Sequence, residues 1–151
     1  LPNRSWIEPG QWDTNKMQRV NEEAAALYAS WEKDVMVEEY CTEDAEVVIA
    51  AYGISGRIAK SVVEMMRAEG KKVGLLRPIT VHPFPKAAFD NLDYGTCHAI
   101  LDVEMSIPAQ MVEDVDHAVR GRCPIKTCLC SGGNVMSREA VVEAVEKLLN
   151  K

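Results

Sequence analysis

Two strand-then-helix junctions restrict most strongly what this chain can fold into. Apolar runs at 46–51 and 97–103 each end in a loop with small or capping residues, and an amphipathic helix follows each loop. Junctions of this kind build a parallel sheet with helices on both faces, and they place the two loops side by side at one edge of the sheet. The sequence therefore predicts an α/β fold with its candidate functional residues in these loops.

The rest of the chain repeats the same alternation. Strands are predicted over 46–51, 72–77, 97–103 and 125–130, and helices over 55–69, 86–91, 107–119 and from Ser137 onward. The helix over 55–69 is expected to turn four side chains inward, namely Ile58, Val62, Met65 and Met66. The order β-α-β-α-β-α-β-α predicts right-handed crossovers and a three-layer αβα arrangement with four parallel strands.

Residues 1–42 are expected to form a lead-in, a helix and an optional edge strand packed on a parallel core over 43–151, so that the chain makes one domain. Asp13 or Thr14 can cap the helix, whose apolar stripe consists of Met17, Val20, Ala24, Leu27, Trp31 and Val35. Periodicity does not decide whether 35–40 is strand or helix. Because the chain begins at Leu1 without a signal-peptide core, we expect a mature product or an excised piece of a longer subunit.

Composition limits the partners and the compartment. A formal net charge of −6 argues against nucleic acid or a membrane surface as partner, because phosphate binding needs clustered Lys and Arg. Five cysteines in a chain without a secretory signal predict a reducing cytoplasm. Cys123, Cys128 and Cys130 lack the C-x2-C repeats of zinc or iron–sulfur ligation, and the three histidines are scattered. No metal site is therefore expected.

The loop that begins at Gly53 can be tested against known phosphate-binding motifs. A helix start there could hold a phosphate or a carboxylate. However, Gly53 and Gly56 do not supply G-x-G-x-x-G, the G-K-[ST] of a P-loop is absent, and only Ser55 offers the hydroxyl of a flavodoxin-like loop. The simpler interpretation is that Gly53 makes the turn and Ser55 caps the helix.

The loop after the strand over 97–103 carries a carboxylate and a hydroxyl. Glu104 would need a base, nucleophile or metal beside it to act in catalysis, and no residue is fixed there by spacing. Asp102 is expected to be buried or just at the sheet edge. Ser106 is interpreted as a helix cap, and His82 as an exposed or interface residue of a proline-rich loop.

Several segments together resemble one family. They are 43–53, 70–80, 103–106 and 110–115, and the most specific are Arg77-Pro78-Ile79-Thr80 and Glu104-Met105-Ser106. The chain is similar, over about 14–150, to the C-terminal part of the α subunit of 2-oxoacid:ferredoxin oxidoreductases. It most resembles the branched-chain (2-ketoisovalerate) class, with the 2-oxoglutarate enzymes as near relatives.

This resemblance implies a transketolase C-terminal-like domain, in which an antiparallel edge strand would occupy 35–40. It implies a preceding domain of the same subunit that holds the pyrimidine side of thiamine diphosphate. The subunit that binds the diphosphate and the iron–sulfur subunit would be separate chains, and the full enzyme would contain thiamine diphosphate, Mg and iron–sulfur clusters. The complete enzyme would oxidatively decarboxylate a 2-oxoacid with coenzyme A and pass electrons to ferredoxin. No catalytic, cofactor-binding or metal-binding residue is carried over to this fragment.

By resemblance, the role of the fragment is to brace the catalytic domain and to form subunit contacts. The interface candidates are Gly53, Ser55, Arg57, Arg77, Pro78, His82, Glu104, Met105, Ser106, Gln110 and Met111. Two alternatives remain open: a flavodoxin-like FMN or nucleotide-binding module, and a small-anion-binding module that uses the helix end at Ser55.

Overall fold

The computed structural model describes residues 13–150, which divide into one unit ending at Asp34 and a second beginning at Val35. The first unit contains helix α1 (Thr14–Ser30) and a one-turn 3-10 helix (Trp31–Asp34). Asp13 caps α1, because its Oδ1 accepts hydrogen bonds from the backbone N–H groups of Asn15 at 3.0 Å and Lys16 at 3.2 Å. The predicted cap is confirmed. No residue of α1 is buried.

The second unit is built on a five-stranded sheet. Its strands are β1 (Val37–Tyr40), β2 (Val47–Ala51), β3 (Val73–Pro78), β4 (Ala99–Glu104) and β5 (Ile125–Leu129), in the order β1-β3-β2-β4-β5. The strands β2 to β5 pair in parallel, and β1 pairs antiparallel with β3 from Val37 opposite Pro78 to Tyr40 opposite Leu75. The predicted mostly parallel sheet is confirmed, and 37–40 is the antiparallel edge strand.

Helices cover both faces of this sheet. They are α2 (Gly53–Ala68), α3 (Lys86–Asp90), α4 (Met111–Val119) and α5 (Arg138–Leu149). Alternate residues of β2 and β4 point to opposite faces of the sheet and belong to two apolar layers. In one layer Ile49 and Leu101 pack with α2 and α5, and in the other Val48 and Ile100 pack with α3 and α4. The central strand β2 is buried throughout, as expected of a parallel strand covered on both sides.

The start of α2 differs from the prediction. The helix begins at Gly53 with Tyr52 at the cap position, so Ser55 is a buried residue of the first turn and not the cap. Met65 was predicted to face inward but is 42% exposed, because Val62, Val63 and Met66 form the buried face of α2.

The start of α4 also differs. The helix begins at Met111, not at 107, and Ser106 lies in the preceding loop rather than at the cap position. The last helix agrees with its prediction: the Ser137 hydroxyl accepts from the Ala140 N–H at 3.1 Å, and Val141, Val145 and Leu148 are buried.

The strand β5 lies at the margin of the sheet and pairs with β4 on its inner side. Lys126 and Thr127 in its middle are exposed. Among the described residues, no helix is long and apolar enough to cross a membrane.

Candidate functional site at the carboxyl edge of the sheet

The loops that follow β2, β3 and β4 meet where these parallel strands end, at what we call the carboxyl edge. Gly53 makes the turn from β2 into α2 with φ +55°, a left-handed conformation that glycine adopts without steric cost. The loop after β3 is tied to the chain entering β1, because the Met36 carbonyl accepts from the N–H groups of Ile79 at 3.0 Å and Thr80 at 3.1 Å. The Thr80 Oγ1 in turn accepts from the Met36 N–H at 2.9 Å.

Glu104 organises the loop after β4. Its side chain is fully buried, and its carboxylate accepts hydrogen bonds from the Ser106 hydroxyl at 2.9 Å, the Gln110 N–H at 2.9 Å and the Val112 N–H at 3.2 Å. The carboxylate therefore caps the N-terminus of α4 from the end of β4, six residues before the helix cap position.

The charge of Glu104 is held by these donors. Burial acts to raise its pKa, but the backbone N–H groups and the Ser106 hydroxyl outweigh burial and lower the pKa below its ordinary value. Glu104 is therefore an ionised carboxylate whose oxygens are already engaged with the loop. This arrangement suits a structural anchor of the loop.

Asp102 lies two residues earlier on the same face of β4 and has the opposite character. It is fully buried, and among the described residues no N–H or O–H group of a neutral or basic residue donates to either of its carboxyl oxygens. Burial, followed by the side-chain hydrogen bond with Glu104 and the negative charge of that carboxylate, raises the pKa of Asp102 to about 8.

A cavity of about 230 Å³ opens at the carboxyl edge, lined by Tyr52, Val81, Phe84, Gln110, Met111 and Asp114. Burial, followed by the charges of Glu104 and Asp102, raises the pKa of Tyr52. Tyr52 thus keeps its hydroxyl neutral between the cavity and the acidic pair.

Arg77 joins three elements on the opposite face of the sheet. Its Nη1 is 3.0 Å from the Glu38 Oε2, and the Lys60 Nζ is 2.6 Å from the Glu38 Oε1. The stem of Arg77 crosses α2 at Gly56, where a Cβ would come within 2.8 Å of the Arg77 Cδ. The hydrogen bond from Lys60, opposed by burial and aided by Arg77, lowers the pKa of Glu38. Arg77 therefore braces β1 against β3 and α2.

Exposed apolar side chains concentrate at the carboxyl edge. We call this set the apolar edge; its members are 54–67% exposed and are Met36, Ile54, Ile79, Val81, Ile107 and Val135. Each lies in a segment that leaves a parallel strand or, for Met36, enters β1 beside the end of β3. Of the large apolar side chains exposed within 35–150, Met65 alone lies elsewhere, on α2. Several exposed large apolar side chains at one edge of a sheet indicate a candidate interaction site.

The structure places the interface candidates at different depths. Gly53, Arg57, His82 and Gln110 are exposed, and Met105 and Ser106 are half-buried. Ser55, Pro78, Glu104 and Met111 are buried, and Arg77 is partly buried against Glu38. The buried members support the loops, while the exposed ones lie next to the apolar edge. With Ser55 buried, its hydroxyl does not offer itself to an anion at the start of α2.

All five cysteines are free thiols. Cys130 directly follows β5, and its N–H donates to the Glu104 carbonyl at 3.1 Å. Cys97 and Cys123 are buried in the apolar layer under α3 and α4, and Cys128 and Cys130 pack beside the other layer. Within residues 13–150, no group of three or more His, Cys, Asp or Glu side chains could hold a metal ion.

Sequence reasoning missed the apolar edge and the role of Glu104. A usable signal existed for the apolar edge: Ile54, Ile79 and Ile107 each stand just beyond a predicted strand, where a solvent-exposed loop is usually polar. For Glu104, its two-residue spacing from Asp102 already placed both carboxyls on one face of β4.

Comparisons with known proteins agree with this architecture. The family described as pyruvate:ferredoxin oxidoreductase core domain II matches residues 45–141. Ketoisovalerate oxidoreductase subunit VorB of Methanothermobacter marburgensis is 38% identical over 160 aligned positions, covering 97% of this chain and 45% of the relative. Pyruvate synthase subunit PorA of Methanocaldococcus jannaschii is 36% identical over 109 positions, covering 71% of this chain and 28% of the relative.

Solved structures show the same fold. A 2-oxoglutarate:ferredoxin oxidoreductase from Magnetococcus marinus superimposes with a TM-score of 0.66 at 21% identity, over 92% of this chain and 24% of that chain. A split-gene transketolase superimposes with a TM-score of 0.63 at 19% identity, over 76% of this chain and 41% of that chain. The chain spans less than half the length of its VorB relatives. By the family match to most of its sheet and helices, the chain belongs to the pyruvate:ferredoxin oxidoreductase core domain II family.

Proposed function

We propose that this chain is the non-catalytic, subunit-contact domain of a 2-oxoacid:ferredoxin oxidoreductase of the 2-ketoisovalerate class. The observation that carries the proposal is the 38% identity to ketoisovalerate oxidoreductase subunit VorB across 97% of the chain. The complete enzyme would convert a branched-chain 2-oxoacid to its acyl-CoA, with ferredoxin as electron acceptor and a cytoplasmic location.

The apolar edge is the surface proposed for contact. Its occupant is polypeptide of the same enzyme: the preceding domain of the subunit together with neighbouring subunits. Two features support this choice. The VorB relatives carry more than half of their length outside the region matched here. The apolar edge also combines exposed Ile and Val side chains with a polar rim that includes Arg57 and Gln110, as protein interfaces do.

Thiamine diphosphate, Mg and the iron–sulfur clusters are proposed to bind on other parts of the enzyme. The carboxyl groups at the carboxyl edge, which are the side chains there that could bind a metal ion, support this assignment. The Glu104 carboxylate is occupied by three donors from its own loop, and Asp102 is closed off from solvent. The chain's own contribution is to hold the three loops of the carboxyl edge in fixed positions relative to one another.

The proposal is tested by binding of the chain to the remaining polypeptides of the enzyme, supplied in trans. Val81→Asp and Ile107→Asp place a charge in the apolar edge, and each is expected to weaken association at least about tenfold, because burying an unpaired carboxylate in an apolar contact costs more than the roughly 1.4 kcal/mol that corresponds to tenfold. Pull-down and titration calorimetry measure the affinity, and thermal melting checks the fold.

Met65→Asp is the matched control, since Met65 is the large exposed apolar residue of the described range 35–150 that lies off the edge. It should bind as the unmodified chain does. Unchanged affinity in both edge variants, or an equal loss in the Met65 variant, would refute the proposed contact surface.

A further inference from the structure

Asp102 is a buried carboxyl group that the proposed contact role does not yet use. It sits on β4, an inner strand of the sheet, opposite Ala50 of β2 and Thr127 of β5. Its side chain is fully buried and, within the described part of the chain, no N–H or O–H group of a neutral or basic residue donates to its oxygens, so that its hydrogen-bond partner is the carboxyl of Glu104. An ionised carboxylate in such a place would lose its hydration with nothing in return.

Among residues 13–150, no positive charge acts on Asp102. On its side of the sheet, α3 contributes Ala88 and Phe89, and α4 contributes Met111 and Val115. The titratable groups of this layer that the structure describes are Glu104 on the same strand, Tyr52 after β2, and, toward the other end of the strands, Tyr94 and the buried thiols Cys97 and Cys123. The charge that acts on Asp102 is the negative one of Glu104.

We propose that Asp102 carries a proton in the folded domain, and that loss of this proton at alkaline pH loosens the loop over 105–110 and with it the apolar edge at Ile107. The inference rests on the proposed contact function. Its physical basis is the pairing of one neutral and one ionised carboxyl, two residues apart on one strand face. Burial and the proximity of Glu104 raise the pKa of Asp102 to about 8.

The connection to the surface runs through Glu104. Its carboxylate holds the loop by accepting from Ser106, Gln110 and Val112. When Asp102 ionises, two like charges share one strand face in a medium that screens them poorly. The repulsion is relieved if Glu104 moves toward solvent, and that movement releases the N–H groups at the start of α4. Ile107 lies in the middle of the released loop.

The sign of the pH effect follows from the two pKa values. In the unfolded chain Asp102 has its ordinary value of 3.8, and in the folded domain its value is about 8. Between these two pH values the folded state holds one proton more than the unfolded state, so the contribution of Asp102 to stability falls as pH rises. The loss levels off above about pH 8.

Asp102→Asn tests the proposal, because the amide keeps the shape of the neutral acid and cannot ionise. Thermal midpoints are measured from pH 5.5 to 9 for the unmodified chain and the variant. We expect the midpoint of the unmodified chain to fall relative to that of Asp102→Asn across this range, and the difference to level off above about pH 8. Asp116→Asn, at an exposed position of α4, should follow the unmodified chain. Parallel profiles for the unmodified chain and Asp102→Asn would overturn the proposal.

Association with the other polypeptides of the enzyme is measured at pH 6.5 and pH 9. The unmodified chain is expected to bind several-fold more weakly at pH 9, whereas Asp102→Asn should bind with nearly the same affinity at both values. An equal loss in both proteins, or none in either, would overturn the link between Asp102 and the surface. If Val81→Asp and Ile107→Asp bind at pH 6.5 with the affinity of the unmodified chain, the proposed contact surface itself is refuted instead.

If Asp102→Asn does not fold, infrared difference spectra of the unmodified chain decide the question. A protonated-carboxyl band that disappears as pH is raised from 6.5 to 9 supports the proposal. Absence of such a band at pH 6.5 overturns it.

Discussion

A single carboxylate decides where α4 begins. Glu104 ends a buried strand, yet its oxygens reach the N–H groups of Gln110 and Val112. The loop between them is therefore held by a side chain rather than by a regular turn. The same buried position would be costly for a charge without donors, and the loop supplies three. Charge and loop conformation stabilise each other.

Glu104→Gln is expected to lower the free energy of unfolding by about 1–3 kcal/mol at pH 7, because a buried charge-assisted acceptor becomes a neutral one. The pKa of Glu104 is lowered by folding, so its stabilisation is present above its ordinary pKa of 4.5 and is lost as pH falls. The deficit of the variant should therefore shrink toward acid pH. Urea unfolding at pH 7 and pH 4 measures both effects.

Glu113→Gln provides the comparison, since Glu113 is exposed in the first turn of the same helix. Its effect should stay within a few tenths of a kcal/mol. A loss in Glu113→Gln as large as that in Glu104→Gln would show that the helix dipole, and not the buried anchor, is responsible.

On β4, sequence patterns predict which residues are buried better than they predict which hydrogen bonds the buried carboxyl groups form. A run of apolar residues at 97–103 is enough to predict a buried strand, and period-two alternation places Asp102 and Glu104 on one face. The pattern does not say that Glu104 finds its partners in the chain after the loop. That depends on the path from Met105 to Gln110, which only the folded chain defines.

At the scale of elements, β1 is held to β3 through a close approach of two backbone segments. A Cβ on Gly74 would lie 2.7 Å from the Cys41 carbonyl oxygen and 3.1 Å from the Thr42 Cα. Gly74 therefore lets the chain between β1 and β2 cross over β3. We call the region where β1 packs against β3 and α2 the β1 corner. The ion pairs of Glu38 with Arg77 and Lys60 stabilise this corner near the start of β1.

Gly74→Ala is expected to destabilise the domain by about 1–3 kcal/mol, because the new methyl group meets backbone that cannot move without shifting the edge strand. Chemical denaturation monitored by circular dichroism measures the loss.

Gly56→Ala is the contrasting variant. Its Cβ would meet the side chain of Arg77 at 2.8 Å, and a side chain can shift more easily than backbone, while alanine favours the helix. Its loss should be smaller than that of Gly74→Ala. The reverse order would mean that Arg77, and not the crossing at Gly74, is the rigid part of this corner.

The elements themselves were largely predictable. The predicted strands begin and end within one or two residues of β2 to β5, because continuous β-branched runs and glycine or proline breaks are local signals. The sequence predicts the start of α4 four residues before its position in the structure. A proline such as Pro108 is typical of a first helical turn, and hydrophobic periodicity does not show the hydrogen bonds by which Glu104 sets the start of the helix. The edge strand over 37–40 was left open by periodicity and required the family resemblance.

At the scale of the whole molecule, the chain belongs to a family whose named relatives are subunits of oxidoreductases, and it spans less than half of their length. Its most specific surface is apolar and its buried acids are engaged or closed off. The fold class and the family could be predicted from the sequence, because the alternation of strands and helices along the chain and the family's motif segments are local features of the sequence. The apolar edge was not, since exposure depends on how far each loop stands out from its neighbours.

The purified chain alone is expected to show no 2-oxoacid-dependent reduction of a viologen dye. The reason is that the proposed role assigns the cofactors to other parts of the enzyme. The assay uses 2-ketoisovalerate with coenzyme A under anaerobic conditions, and the reconstituted complete enzyme serves as the positive control. Robust turnover by the chain alone would contradict the assignment of a non-catalytic role.

The marginal strand β5 carries Lys126 as its second residue, and this residue is exposed to solvent. A lysine in that position opposes the alignment of a foreign strand, because a second copy would bring a like charge against it and would have to strip its water. Growth of the sheet into an intermolecular ribbon is therefore discouraged on this flank. Copies of the chain are therefore less prone to join edge to edge through this strand.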